Sequence, residues 1–206
     1  MQIEAEFEFQ IKLAIIGDSA VGKTNFIFRF IDNLFSSSYV TTVGFDYKSK
    51  IVKLPKSKKR VKIQIWDTAG QERYMSLNKN IFQKVQGIII MYDLTKRISF
   101  ENINRWLNLM SQYSSDKVKF LVANKLDLAE NQRIVSEDEG QQLADENNMK
   151  FFEASGQSGE NVDKIFLEMA ELVYENLTNE KFSLMSESAS VQLTKKNTKK
   201  KKRKCC

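Results

Sequence analysis

At 206 residues, 42% of them apolar and only one a proline, the chain can bury one sizeable core with some length left over, the profile of a cytosolic α/β domain. It holds no run of 18 uncharged apolar residues to cross a bilayer, its acidic first ten residues are not expected to act as a secretory leader, and Gln2 does not provide a myristoylation site. The net charge of +6 resolves into two all-basic blocks of eight Lys/Arg each, 48–62 and 195–204, on a remainder of 16 basic against 26 acidic side chains, which argues against a broadly nucleic-acid-binding protein.

In chain order, Glu4 to Ile16 alternates and then turns apolar, which predicts a strand running into a glycine-bearing loop. Gly22 to Ile31 reads as the first helix, packed through Phe26, Ile27 and Phe30, and Asn33 to Thr42 has the Ser/Thr-rich composition of a mobile loop. Gly44 to Pro55 and Arg60 to Trp66 predict two strands joined by Lys56-Ser57-Lys58-Lys59, with Lys62 and Gln64 on a solvated face. Met75 to Lys84 reads as a short irregular helix, and Gly87 to Tyr92 as a buried strand that ends at Asp93. Phe100, Ile103, Leu107 and Met110 recur at helical spacing; Trp106 beside them is read as core packing, and Asp93 as a polar residue closing its strand.

Val118 to Ala123 is a further central strand, followed by Asn124-Lys125-Leu126-Asp127. Ser136 and Glu139 form a capping box ahead of Leu143 and Ala144, Phe151-Phe152 is a short strand, and Val162, Ile165, Phe166, Met169, Leu172 and Val173 line a last helix. Periodicity fails from Asn176, and 178–206 reads as a flexible, finally polybasic tail ending in Cys205-Cys206. Adjacent terminal cysteines neither staple a fold nor have metal-ligand spacing, and after a lysine tract they suggest lipid attachment. A plain basic nuclear-targeting run is the weaker reading of the same tail.

Gly17-Asp18-Ser19-Ala20-Val21-Gly22-Lys23-Thr24 fits the phosphate-binding pattern G-x-x-x-x-G-K-[ST] and follows the apolar run Ile11 to Ile16. Such a loop turns backbone N–H groups around a phosphate, with the next helix adding its positive end; Lys23 would reach the terminal phosphates and the Thr24 hydroxyl would hold Mg²⁺. Strands alternating with helical patterns predict a P-loop α/β fold, a six-stranded, mostly parallel sheet with one antiparallel hairpin strand, flanked by helices. The polar clusters at 17–24, 67–72, 124–127 and 154–159 all fall at the C-terminal ends of strands, the edge where open α/β sheets place ligands.

A P-loop alone would also fit an ATPase or a nucleotide kinase. Taken together, the four clusters resemble a small GTPase of the Ras superfamily. The resemblance implies that Asp127 of Asn124-Lys125-x-Asp127 accepts from guanine N1 and the exocyclic amine, that Asn124 braces the pocket and contacts the base, and that the Lys125 stem covers its face, with Leu128 alongside. It implies further that Ser155-Gly156 presents a backbone N–H to guanine O6, that Gln157 stands where lysine is usual, and that Phe35 packs edge-on against the base. Asn25 and Tyr39 complete the implied nucleotide set.

Asp67-x-x-Gly70-Gln71 resembles the second switch: Asp67 would hold Mg²⁺ through a water, Gly70 N–H would sense the γ-phosphate, and Gln71 would orient the attacking water. Thr42 matches the threonine that ligates Mg²⁺ only when the γ-phosphate is present. Lys23, Thr42, Gly70 and Gln71 are thus the implied catalytic set, and Thr24, Thr42 and Asp67 the metal set. With no arginine finger in the switch segments, the resemblance implies slow intrinsic turnover accelerated by a partner.

Within the superfamily, Val43-Gly44-Phe45-Asp46-Tyr47, Lys62-Ile63-Gln64-Ile65-Trp66, Arg73-Tyr74-Met75-Ser76-Leu77 and Met91-Tyr92-Asp93-Leu94-Thr95 are most similar to the Rab proteins of vesicle traffic. That implies prenylation of Cys205 and Cys206, attachment to the cytoplasmic face of intracellular membranes or the plasma membrane with a cytosolic pool, and a monomer that meets an exchange factor, an activating protein, a GDP-dissociation inhibitor or escort protein, and effectors. Val43, Gly44, Phe45, Tyr47, Trp66, Tyr74 and Ile81 are the implied effector face. Ile81 stands where the family has an aromatic, and Trp66 is read as a partly exposed anchor in preference to plain core. The implied organisation is a short extension over 1–8, a GTPase domain over 9–177 and a tail over 178–206. The basic hairpin is read as solvated, with auxiliary contact to an anionic membrane or a partner as its second reading. A constitutively GTP-bound module with negligible hydrolysis is the alternative function, disfavoured by Gln71; a metabolic P-loop enzyme fails for want of an acceptor site.

Overall fold

The computed structural model describes residues 6–36, 45–68, 82–111 and 117–179. Its sheet has six strands: β1 (Phe9–Ile16), β2 (Phe45–Lys53), β3 (Arg60–Thr68), β4 (Gly87–Asp93), β5 (Val118–Asn124) and β6 (Lys150–Glu153), in the order β2-β3-β1-β4-β5-β6. β2 runs antiparallel to β3 and every other neighbouring pair is parallel, as expected from the alternation of strand and helix patterns.

The helices are α1 (Lys23–Asp32), α2 (Arg97–Glu101), α3 (Ile103–Met110), α4 (Ala129–Gln132), α5 (Glu137–Glu146) and α6, a helix over 162–179. The sheet divides two apolar layers because side chains alternate across each strand. Ile11, Leu13, Ile15, Ile63 and Ile65 point into a layer shared with α1 and α6, where Phe166 stacks on Phe30 at 4.2 Å and meets Phe26 at 5.5 Å. Ala14, Ile16, Ile88, Ile90 and Leu121 point into the other, filled by Trp106, Met110 and Ala144. β4 lies between both layers, which is why its sequence is one continuous apolar run.

Several boundaries differ from the sequence reading, each for a local reason. β1 begins at Phe9, where register with Val61 of β3 starts. β2 ends at Lys53, just before the bend that contains Pro55, which has no N–H to give a ladder. The single helix expected around Phe100 to Met110 is two, α2 and α3, meeting at Asn102, whose side chain is turned to the phosphate loop. The last helix continues through 179, past the loss of apolar periodicity, with the Thr178 hydroxyl donating back to Tyr174 and Glu175 carbonyls at 2.9 Å. The capping box is present: Ser136 Oγ accepts from Glu139 N, and Glu139 accepts from Ser136 N at 2.9 Å. Of the expected helix over Met75 to Lys84, only 82–84 falls within the described residues, and it is helical.

Candidate nucleotide site at the C-terminal edge of the sheet

The loop after β1 closes tightly enough that only glycine fits at two points. Gly17 has φ +140°, and a Cβ there would lie 2.1 Å from the Met91 carbonyl oxygen; at Gly22, with φ +100°, it would lie 2.4 Å from Asn124 Nδ2. Ala20 is also held left-handed, at φ 64°. Gly22 caps α1, whose first turn carries no acidic residue, whereas α5 opens with Glu137, Asp138 and Glu139. The positive end of α1 therefore has no acid of its own helix to offset it, which suits a phosphate.

Lys23 lies in this loop, 6% exposed, its Nζ donating to the carbonyls of Gly17 at 2.8 Å and Asp18 at 2.7 Å. Burial pulls its pKa down to about 8, against the opposing pull of Asp67 and Asp18. A cation made costly by desolvation is one that an incoming anion stabilises. Thr24 Oγ1 donates to Asp67 Oδ2 at 2.6 Å, bringing a hydroxyl and a carboxylate together at the end of β3. Such an oxygen pair fits the hard-oxygen preference of Mg²⁺.

At the other end of the edge, Asn124 is the keystone. Its Nδ2 donates to the Val21 carbonyl at 2.8 Å, and its Oδ1 accepts from Gly156 N at 3.1 Å, so one amide ties the phosphate loop to the loop after β6. The Gly156 N–H expected at a base oxygen is thus directed at Asn124 in this structure. Ser155 Oγ donates to Asp127 Oδ1 and accepts from the N–H of Gln157 at 3.1 Å and of Ser158 at 2.9 Å. This orients the Asp127 carboxylate, which is itself exposed, and Leu128 ends the same short turn.

Lys125 is held left-handed at φ 72°, with its ammonium 2.7 Å from Asp93 Oδ2. Asp93 is fully buried, and its Oδ1 accepts from Thr95 N at 2.9 Å and Thr95 Oγ1 at 2.6 Å. Asn25 anchors the start of the following loop through Ser36 at 2.9 Å, and Phe35 beside it is 39% exposed.

Three groups that sequence reasoning did not assign are part of this edge. Asp93 fixes Lys125; its only signal was its place opposite Asn124, which needs the β4–β5 register to see. Asp18 accepts from Asn102 Nδ2 at 2.7 Å and from the Trp106 indole N–H at 2.9 Å, so Trp106 packs in the core and also latches the phosphate loop. Arg29 donates to the carbonyls of Gly156 at 3.1 Å and Gln157 at 2.6 Å, holding the loop in which the family's lysine is replaced by glutamine. No periodic pattern marks a surface arginine for that role.

Tyr47 and Trp66 face each other across β2 and β3 with ring centroids 5.4 Å apart; Tyr47 is 54% exposed and Trp66 half-buried against the second layer. Tyr39, Thr42, Val43, Gly44, Gly70, Gln71, Tyr74, Ile81, Cys205 and Cys206, all expected to act, lie outside the described residues. Among the described residues no group of three His, Cys, Asp or Glu could hold a metal, and no helix is long and apolar enough to cross a membrane.

The family model described as "Ras family" matches residues 12–175, from β1 into α6. The chain belongs to the Ras family. It is 41% identical over 197 residues to "Ras-related protein RABE1e" of Arabidopsis thaliana, covering 95% of this chain and 88% of that one. It is 44% identical to "GTP-binding protein yptV2" of Volvox carteri and 42% identical to "Ras-related protein Rab-3" of Caenorhabditis elegans, each over 85% of this chain and 80% of the relative. This Ras-family member is a Rab-type small GTPase, a hydrolase acting on GTP. The ends of β1, β3, β5 and β6 are the edge at which the candidate nucleotide residues gather.

Proposed function

We propose that this Rab-type GTPase is a membrane-attached switch that binds GTP or GDP with Mg²⁺, hydrolyses GTP slowly, and recruits effectors in vesicle traffic. What carries the reading is the Asn124 side chain, which links the Val21 carbonyl of the phosphate loop to the Gly156 N–H of the base loop. A base specified by Asp127 and a phosphate held at Lys23 are thereby read as one ligand. Mg²⁺, when bound, supplies charge neutralisation on the β/γ oxygens and a further anchor for them.

The chain's own residues do the rest. Lys23 places a poorly solvated ammonium where charge develops, Thr24 and Asp67 offer the metal its oxygens, and Gln71 aligns the attacking water. Thr42 and Gly70 sense the γ-phosphate and release when it leaves. Tyr47 and Trp66, with Val43, Gly44, Phe45, Tyr74 and Ile81, form the effector face, Ile81 keeping apolar area without a ring. Cys205 and Cys206 carry prenyl groups, and the basic tail adds attraction to the cytoplasmic leaflet. An exchange factor, an activating protein and a GDP-dissociation inhibitor or escort protein complete the cycle of a monomer.

The test is single-turnover hydrolysis. Gln71→Leu should slow GTP cleavage at least about tenfold and blunt its acceleration by an activating protein. An unchanged rate would count against the role given to Gln71, and negligible cleavage by the native chain would leave a GTP-holding module. The intact mass of protein taken from its own cells should show two prenyl additions on the terminal cysteines; unmodified thiols would rule out the lipid anchor.

A further inference from the structure

We propose that the tip of the β2–β3 hairpin is a second membrane-contact site, pressing against anionic lipid headgroups beside the tail. This goes beyond the switch function and rests on the tail-anchoring part of it. The nucleotide edge lies at the C-terminal ends of the parallel strands, and the hairpin turn lies at the opposite end, about 27 Å away along the nine residues of β2. Helix α6 runs back the same way. Its Glu171 accepts the backbone N–H of Lys56 and of Ser57 at 2.9 Å each, and its Tyr174 meets Phe9, the first residue of β1, edge to face at 5.1 Å. Helix α6, followed to 179, therefore runs toward the hairpin end of the sheet.

Residues 53–62 hold Lys53, Lys56, Lys58, Lys59, Arg60 and Lys62 and no acid. The other two cations of the block are accounted for by packing: Lys48 lies over the Phe28 ring, and Lys50 lies over the Phe30 ring and donates to the Phe30 carbonyl. Lys59 pairs with Glu8 at 2.7 Å, and Lys58 donates to the Pro55 carbonyl. Lys53, Lys56, Arg60 and Lys62 make no ion pair among the described residues.

Lys53 sits directly opposite Arg60 in the antiparallel register, and Lys62 lies diagonally on the same sheet face. Like charges so placed repel, and such a cluster costs stability unless an outside anion neutralises it. Of the described acids that touch the hairpin, Glu8 is taken by Lys59 and Glu171 by the turn. Under the Lys62 ammonium, at 5.6 Å, lies the ring of Phe7, 38% exposed. An open aromatic among unneutralised cations is the chemistry of an interfacial lipid contact. A membrane is favoured over an acidic protein because anchoring through the terminal cysteines, as proposed above, would bring a lipid surface within reach of the end toward which α6 runs. Contact there would hold Tyr47, Trp66 and the nucleotide edge at the far end, away from the bilayer.

The 206-residue chain has no cysteines but Cys205 and Cys206, so both can be coupled to maleimide lipid in phosphatidylcholine vesicles made with or without phosphatidylserine. Lysine acylation, read peptide by peptide by mass spectrometry, then reports which side chains are covered. Lys53, Lys56 and Lys62 should react about fivefold more slowly on phosphatidylserine, and high salt should abolish the difference. In Lys53→Gln/Arg60→Gln the remaining hairpin lysines should lose most of that protection, with thermal stability unchanged or higher because a repulsion is relieved. Hairpin lysines that react equally on both surfaces while tail lysines are protected would overturn the contact and leave the tail reading standing. Hairpin protection with an unresponsive tail would uphold the contact and count against the tail. Protection that appears only on adding polyglutamate would assign the tip to an acidic protein and overturn the proposal.

Discussion

Lys23 shows how one side chain can cost the empty protein stability and earn it back on binding. Its ammonium is buried against two carbonyls, and burial lowers its pKa to about 8. Below pH 8 both folded and unfolded chains carry the proton, and the folded state bears the full penalty, of order 3 kcal/mol less the compensation Asp67 would lose. Between about pH 8 and 10.5 the unfolded chain still holds a proton that folded Lys23 has released, so nucleotide-free stability gains with rising pH in that window. Lys23→Met should therefore melt a few degrees higher without nucleotide, lose the alkaline gain, and bind GTP far more weakly. Calorimetry of both proteins across the window decides it; a variant that melts lower would show that the charge is not a burden.

Asp93 makes the companion case. Asp93→Asn keeps an acceptor for Thr95 but removes the charge that fixes Lys125; if the Lys125 stem covers the base as proposed, GDP release should quicken about tenfold, read by displacement of a fluorescent analogue. An unchanged release rate would reduce the ion pair to fold support. The residues with a family signature, from Gly17 to Thr24 and from Asn124 to Asp127, were legible as chemistry. Asp93, Trp106 and Arg29 were not, because each acts through a partner distant in sequence and none departs from an ordinary strand-end, core or surface pattern.

At the scale of elements, sequence periodicity identified strands and helices well and their ends less well, since ends are decided by particular side chains. Asn102 divides what reads as one helix because its amide is turned to Asp18. Glu171 stands outside the apolar positions that line α6, yet it is buried and holds the hairpin turn by two N–H groups. Burial alone would raise its pKa, but the Lys56 and Ser57 donors outweigh that and bring it below the ordinary carboxylate value. Its contribution is therefore in place at neutral pH and is lost as pH falls through its lowered pKa. Glu171→Ala should cost about 1–3 kcal/mol, some 2–8 °C in melting temperature, and free the turn to exchange its amides faster. Unchanged exchange at Lys56 and Ser57 would mean that the turn holds its own shape.

For the molecule as a whole, the parallel sheet sets a polarity. Every strand but β2 delivers its C-terminal end to the candidate nucleotide edge, and α6 returns the chain toward the opposite end. The proposed recognition edge and the proposed hairpin contact are thus separated by the length of the sheet. In the proposed function guanine selection rests on this edge: the Asp127 carboxylate, steered by Ser155, would accept from two donors that adenine lacks, and Asn124, tied to both loops, would carry that fit to the phosphate loop. A site that hydrogen-bonds its ligand in this way rejects an analogue without the donors by a large factor. The most direct measurement is titration of the nucleotide-stripped chain with GTP, GDP and ATP in Mg²⁺. Both guanine nucleotides should bind at least about a thousandfold more tightly than ATP; equal affinities would contradict the account.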